Sequence, residues 1–283
     1  MHYISFFFLY IGLALTSCQN SSQKAASSPV QLAKAISQPI KATESPKTIP
    51  EGLQRLLKAY PNQFKSASEN ELVWQDGSTM VFDDGKKNKT HQELLDSPDL
   101  EDQLSQVYPK SSKYDKPAKN HDPGRIRYEA FLKKMYGQSA IEVQKNLTTV
   151  IWLPKTLKVR LSVTKINDVH LKLKAVSEEL DALPHLHKYL KAPGGTFNWR
   201  NIAGTKRLSA HSFGMTIDIN VAHSHYWQNE AGSANENFNL SYKNSIPLEI
   251  VEIFEKHGFI WGGKWYHYDT MHFEYRPELL VDL

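Results

Sequence analysis

The sequence predicts an α+β fold, a mainly antiparallel sheet with flanking helices, and three observations carry that prediction. Strand-like and helix-like runs are mixed without the regular βαβ alternation that a parallel sheet requires. Asp76-Gly77 separates two short strand-like runs, Leu72 to Gln75 and Ser78 to Phe82, and this dipeptide tolerates the positive φ of a type I′ hairpin turn. Leu173, Val176, Leu180 and Leu183 recur at helical spacing, which gives one apolar stripe to lie on a sheet. With 283 residues, 40% of them hydrophobic, the chain is long enough for one large domain or two small ones.

At the N-terminus, Met1 to Leu15 contains an apolar stretch that is roughly twelve residues long, too short for a bilayer-spanning helix and suited to the core of a signal peptide. Leu15-Thr16-Ser17-Cys18 follows and resembles the lipobox of bacterial lipoproteins. Residues 1–17 are therefore expected to be a lipoprotein signal peptide and Cys18 the lipid-bearing residue, placing the protein in the cell envelope, attached to a membrane and facing the periplasm. Gln19 favours the outer membrane by the same analogy. The other reading of this Cys is a small buried thiol. It is the only cysteine, so neither an intramolecular disulfide nor a multi-Cys zinc site can form.

From Gln19 to Thr48 the sequence is rich in Ser, Ala, Lys, Gln and Pro, with no aromatic residue between Tyr10 and Tyr60, so residues 18–48 read as a flexible tether. Residues 49–145 form a helical and hairpin region: a helix from Glu51 to Tyr60, the hairpin, then a polar stretch from Asp83 to Asp122 with a helix around His91 to Val107. No chemistry is assigned there. Residues 146–283 form the second section. Strands are expected at Thr148 to Leu153 and Val159 to Thr164, followed by the Leu173 helix, strands at Thr196 to Ile202 and Gly214 to Val221, a helix from Pro247 to His257, and an extended run from Trp265 to Arg276. Ser245 is a candidate cap for that last helix, with Pro247 in its first turn and Gly258 just beyond its end.

The balance of 34 Lys plus Arg against 30 Asp plus Glu leaves +4, without a basic run or basic helix, so no nucleic-acid partner is expected. Chemistry concentrates in two clusters. In Ser209-Ala210-His211-Ser212-Phe213-Gly214-Met215-Thr216-Ile217-Asp218, a strand puts Ile217 and Ile219 on one face and Thr216, Asp218 and Asn220 on the other. Gly214 allows the bend that lets His211 and Asp218 converge. In the run Tyr266 to Glu274, a half-buried strand alternates His272 and Glu274 with Met271, Phe273 and Tyr275. Two imidazoles and a carboxylate suit Zn2+, with a fourth position left for water. Amide cleavage also needs a base, and Asp269 is the candidate, provided that a bulge or turn at Tyr268 to Met271 brings it to the same side as His272.

The first cluster resembles the Ser-x-His-x-x-Gly-x-Ala-x-Asp motif of the D-alanyl-D-alanine carboxypeptidase and dipeptidase family of zinc peptidases, and the second its acid-x-x-His motif. The resemblance covers about Thr196 to Arg276. It implies His211, Asp218 and His272 as zinc ligands in a cleft on the sheet, Asp269 as general base, and Arg200 of Phe197-Asn198-Trp199-Arg200 as oxyanion partner, with Arg207 near enough in sequence to compete. The implied substrate is a peptidoglycan stem or cross-link peptide. Two residues depart from the family pattern: Thr216 stands where Ala is usual, and Asp269 stands where carboxypeptidase members have Glu. The second makes this chain similar to the phage endolysin and L-alanyl-D-glutamate endopeptidase branch and tilts the expectation toward an endopeptidase. A D-alanyl-D-alanine carboxypeptidase and a zinc-containing lipoprotein that binds wall peptides without cutting them are the alternatives. Ser209 is read as substrate-binding or as a turn-stabilising hydroxyl, and Trp265 as a substrate contact or core packing. His223 and His225 lack a carboxylate at ligand spacing and are not assigned a metal.

Overall fold

The computed structural model describes residues 48–110 and 116–283. The signal peptide, Cys18 and nearly all of the tether lie outside the described residues. Residues Ser45–Leu283 form one compact unit. Among the described residues no helix is long and apolar enough to cross a membrane.

Helix α1 (Glu51–Ala59) leads into a three-stranded antiparallel sheet of β1 (Phe64–Ala67), β2 (Glu71–Trp74) and β3 (Thr79–Val81). Gly77 turns the expected hairpin with φ +81°. Strand β1 was not expected, because Phe64-Lys65-Ser66-Ala67 carries one large apolar residue and no alternation. The helix expected around His91 to Val107 is two helices, α2 (His91–Asp96) and α3 (Leu100–Leu104). Ser97-Pro98-Asp99 divides them: Pro98 has no N–H to give, and the Asp99 carboxylate caps α3 by accepting from Asp102 N–H.

After α4 (Glu129–Tyr136) and α5 (Ala140–Lys145), strands β4 (Leu147–Trp152) and β5 (Val159–Thr164) pair antiparallel under α6 (Val169–Asp181), as the periodicities require. Strand β6 (Pro193–Gly195) begins the last sheet, ordered β6-β7-β9-β8, with β7 (Thr216–Asn220), α7 (Trp227–Ala231), α8 (Leu248–Lys256), β8 (Phe259–Trp261) and β9 (His272–Tyr275). All its pairings are antiparallel. The α+β class therefore holds, with the strands divided among three antiparallel sheets where one main sheet was expected. The Phe254 ring of α8 stacks on Phe273 of β9 at 3.8 Å between centroids, which fastens helix to sheet.

Three local expectations are corrected. Thr196 to Ile202 is not a strand, because its polar groups bond elsewhere: Thr196 Oγ1 donates to Ser162 O, Asn198 N–H to His211 O, and Arg200 N–H to Ser212 Oγ. Ser245 does not cap α8; Pro247 occupies the cap position, and Ser245 Oγ meets His225 Nε2 at 2.9 Å. Strand β9 is buried at all four positions rather than on one face, since segments from the upstream half cover its second face.

Gly214 is the backbone position that the second half depends on. It sits at φ +65° after the turn Ala210–Phe213, and a Cβ there would lie 2.7 Å from Leu147 Cδ2. Left-handed backbone costs an ordinary residue about 1–2 kcal/mol. Gly214→Ala is thus expected to lose at least that much stability, measured by urea unfolding.

Candidate metal centre

The register of β7 and β9 places Asp218 directly opposite His272. The third donor comes from the turn before β7, where Ser209 accepts from His211 N–H and Gly214 ends the turn. His211 Nε2 lies 3.1 Å from Asp218 Oδ2, and His272 Nδ1 lies 3.0 Å from Asp218 Oδ1. One ligand atom from each of the three falls within 4.8 Å of the others.

The remaining imidazole nitrogens decide what this cluster fits. His211 Nδ1 faces the Thr196 carbonyl at 3.2 Å, and His272 Nε2 faces Glu274 Oε2 at 3.3 Å. Both partners are acceptors, so these nitrogens donate, and it is the lone pairs of His211 Nε2 and His272 Nδ1 that an ion beside Asp218 would take. Such a convergence of lone pairs suits a cation. Donor separations of 3.0–3.1 Å approach the roughly 3.3 Å edge of a tetrahedron with ~2 Å metal–ligand bonds. Remote nitrogens fixed by a carbonyl and a carboxylate are the usual outer support of histidine ligands.

In the protein without an ion, protons take the place that the ion would fill. Burial works against a charged His272, yet hydrogen bonds to Asp218 and Glu274 and the nearby Asp269 outweigh it and push the ring up to about 10. Burial also opposes ionisation of Asp218, but its bonds to both imidazoles hold it well below the usual carboxylate range.

Asp269 reaches the centre through the expected reversal. A turn at Thr270 and Met271, closed by His272 N–H donating to Asp269 O, separates it from β9. Burial, with repulsion from Asp218 next, pushes its carboxyl up to about 7. Its Oδ1 is buried without a hydrogen-bond partner, which is a costly state for a carboxylate that does no work.

His211, Asp218, Asp269 and His272 line one pocket of about 500 Å³, and its wall includes Arg125, Arg127, Arg200, Arg207, Ser209 and Trp265. Arg200 is exposed and, among the described residues, makes no ion pair; it also borders a smaller recess of about 60 Å³ beside His211 and Asp218. Arg207 is tied to Asp96 and Glu236 at 3.4 and 3.5 Å. Of the two candidates, Arg200 is the one left available to a ligand. The hydroxyl of Ser209 serves the turn that carries His211 and also lines the pocket. Trp265 is almost fully buried, with Nε1 donating to Pro123 O at 2.6 Å and its ring 5.7 Å from that of His272. It forms a wall of the pocket more than an open platform.

His223 packs edge-on to Tyr189 and His225 bonds Ser245, so neither joins a metal cluster among the described residues. A second grouping does form from His91, Asp122 and His267. There the Arg125 guanidinium reaches Asp122 Oδ2 at 3.4 Å and grips both Glu236 oxygens at 2.8 and 2.6 Å, already supplying positive charge, so the grouping reads as an ionic clasp.

Sequence reasoning missed Arg125 and Arg127, both in the pocket wall. Asp122-Pro123-Gly124-Arg125-Ile126-Arg127, a turn signal followed by two arginines, was the available sign. No curated protein and no solved structure matches the chain. Residues 203–275, about a quarter of the chain, contain the three candidate ligands and Asp269, and they match the family model described as D-alanyl-D-alanine carboxypeptidase.

Proposed function

We propose that this protein is a zinc-dependent metallopeptidase that hydrolyses amide bonds in peptidoglycan peptides. The observation that carries the reading is the convergence of His211 Nε2, Asp218 and His272 Nδ1 beside Asp269, whose Oδ1 makes no hydrogen bond, in one pocket. The family match supports the peptidase class and wall peptides as substrate.

His211, Asp218 and His272 would hold the ion. Zinc bound in such a site lowers the pKa of its water to about 7 and polarises the scissile carbonyl. Asp269 takes a proton from the attacking water and returns it to the leaving amine, a role suited to a carboxyl whose affinity for protons is raised toward neutral pH. The Arg200 guanidinium, exposed and without an acid partner, is available to a developing oxyanion. Thr216, in place of the family's Ala, is buried and donates from Oγ1 to Thr196 O, the carbonyl that also fixes His211. The short Asp269 favours endopeptidase action, and the alternative is trimming of free stem termini by a carboxypeptidase. The lipobox-like Cys18 extends the proposal to a lipid-anchored protein of the cell envelope, with the outer membrane favoured.

The test is incubation of the zinc-loaded chain beginning after Cys18 with defined wall peptides, read by mass spectrometry beside a chelator control. Chelator-sensitive cleavage is expected, and the bond cut separates endopeptidase from carboxypeptidase. Bound zinc without cleavage of any peptide would replace this reading with that of a wall-peptide-binding lipoprotein.

A further inference from the structure

The residues that anchor the support of His272 lie outside the segment that the family model reaches. Glu274, fully buried, accepts at Oε2 from His272 Nε2, and two guanidiniums hold its carboxylate in place. Arg127 donates from Nε to both oxygens at 3.0 and 3.1 Å and from Nη2 to Oε2 at 2.6 Å. Arg276 donates from Nη1 to Oε1 at 3.1 Å and is itself fixed by Glu278 and the Gly124 carbonyl. Two carboxylates and two guanidiniums thus balance one another inside the protein. Arg127 also lies over the Trp265 ring at 5.7 Å, and that ring flanks His272. Arg127 therefore touches two of the side chains around the imidazole, Glu274 and Trp265. Arg276 has a structural task at the other end, where Glu278 meets Tyr60 Oη of the segment after α1. Arg127 has no other acid partner among the described residues.

We infer that Arg127 and Glu274 are positioning residues for the metal ligand His272, so that the segment carrying Arg127 is a working part of the metal centre. The inference rests on the metallopeptidase reading. It goes beyond it by making metal affinity depend on a residue 147 positions upstream of its partner. A carboxylate at Nε2 keeps the proton on that nitrogen, presents the Nδ1 lone pair to the ion and raises ligand basicity. The charged, two-pronged grip of Arg127 keeps that carboxylate aimed.

A purely structural ion pair predicts something different: removing it lowers the stability of the metal-free protein and leaves the zinc affinity of the folded protein unchanged. The experiment is zinc competition against a chromophoric chelator, using the folded chain with wild-type sequence, Arg127→Lys, Glu274→Gln and Arg55→Lys, with circular dichroism as the check on folding. Arg127→Lys and Glu274→Gln are expected to bind zinc about 10–100-fold more weakly, the range for loss of such outer partners. Arg55→Lys, which pairs with Glu51 on α1 away from the pocket, is expected to bind as wild type. Should Glu274→Gln fail to fold, Arg127→Lys decides, because it preserves the buried charge balance. Wild-type affinity in the folded Arg127→Lys protein overturns the inference. Absence of zinc binding by the wild type would instead overturn the metallopeptidase reading itself.

Discussion

His211→Ala is expected to abolish zinc binding and to lower peptidase activity by at least ~10³, since metal polarisation contributes several kcal/mol and each ~1.4 kcal/mol is a factor of ten. Three donors converge on one point, and two of them, Asp218 and His272, face each other across paired strands. Removing the third leaves a carboxylate and a single imidazole, too few to hold the ion at ordinary concentrations. Zinc content of the purified variant and cleavage of a wall peptide check this together. Retained stoichiometric zinc would mean that the ion sits elsewhere.

The second large effect separates chemistry from metal binding. Asp269→Asn is expected to keep zinc and lose roughly 10²–10⁴ in kcat, the usual contribution of a positioned acid–base group. An amide is nearly the same shape as the carboxyl but cannot accept the proton. Because Asp269 Oδ1 makes no hydrogen bond in the resting protein, the substitution breaks no contact of that atom, and folding should be little affected. Full activity in a zinc-loaded Asp269→Asn enzyme would remove this residue from the mechanism.

The turn and strand that carry His211 and Asp218 were legible because their geometry is local, whereas His272 was joined to them by the motif resemblance. Period-two alternation in Thr216 to Asn220 fixes the face of Asp218, and Gly214 marks the bend that returns His211 to it. The turn that Asp269 requires is present at Thr270 and Met271. Strands β1, β6 and β8 are three or four residues long, too short for alternation to register, and were not distinguished. Thr196 to Ile202 has a strand-like composition, but its hydrogen bonds go to the turn that bears His211, an outcome decided by tertiary contacts. The grip of Arg127 on Glu274 was beyond reach for the same reason: neither residue type nor spacing pairs two side chains from distant parts of a chain.

With the proposed ion bound, the direct opposition of Asp218 and His272 would also couple metal supply to folding fidelity. Sliding β9 by one residue along β7 would set Phe273 against Asp218 and turn His272 toward the opposite face, leaving nothing there to bind an ion. Only correctly paired strands gain the free energy of ion capture, about 4 kcal/mol at a thousandfold excess over Kd. Under the proposed reading the ion would therefore favour the native register as well as serve the reaction.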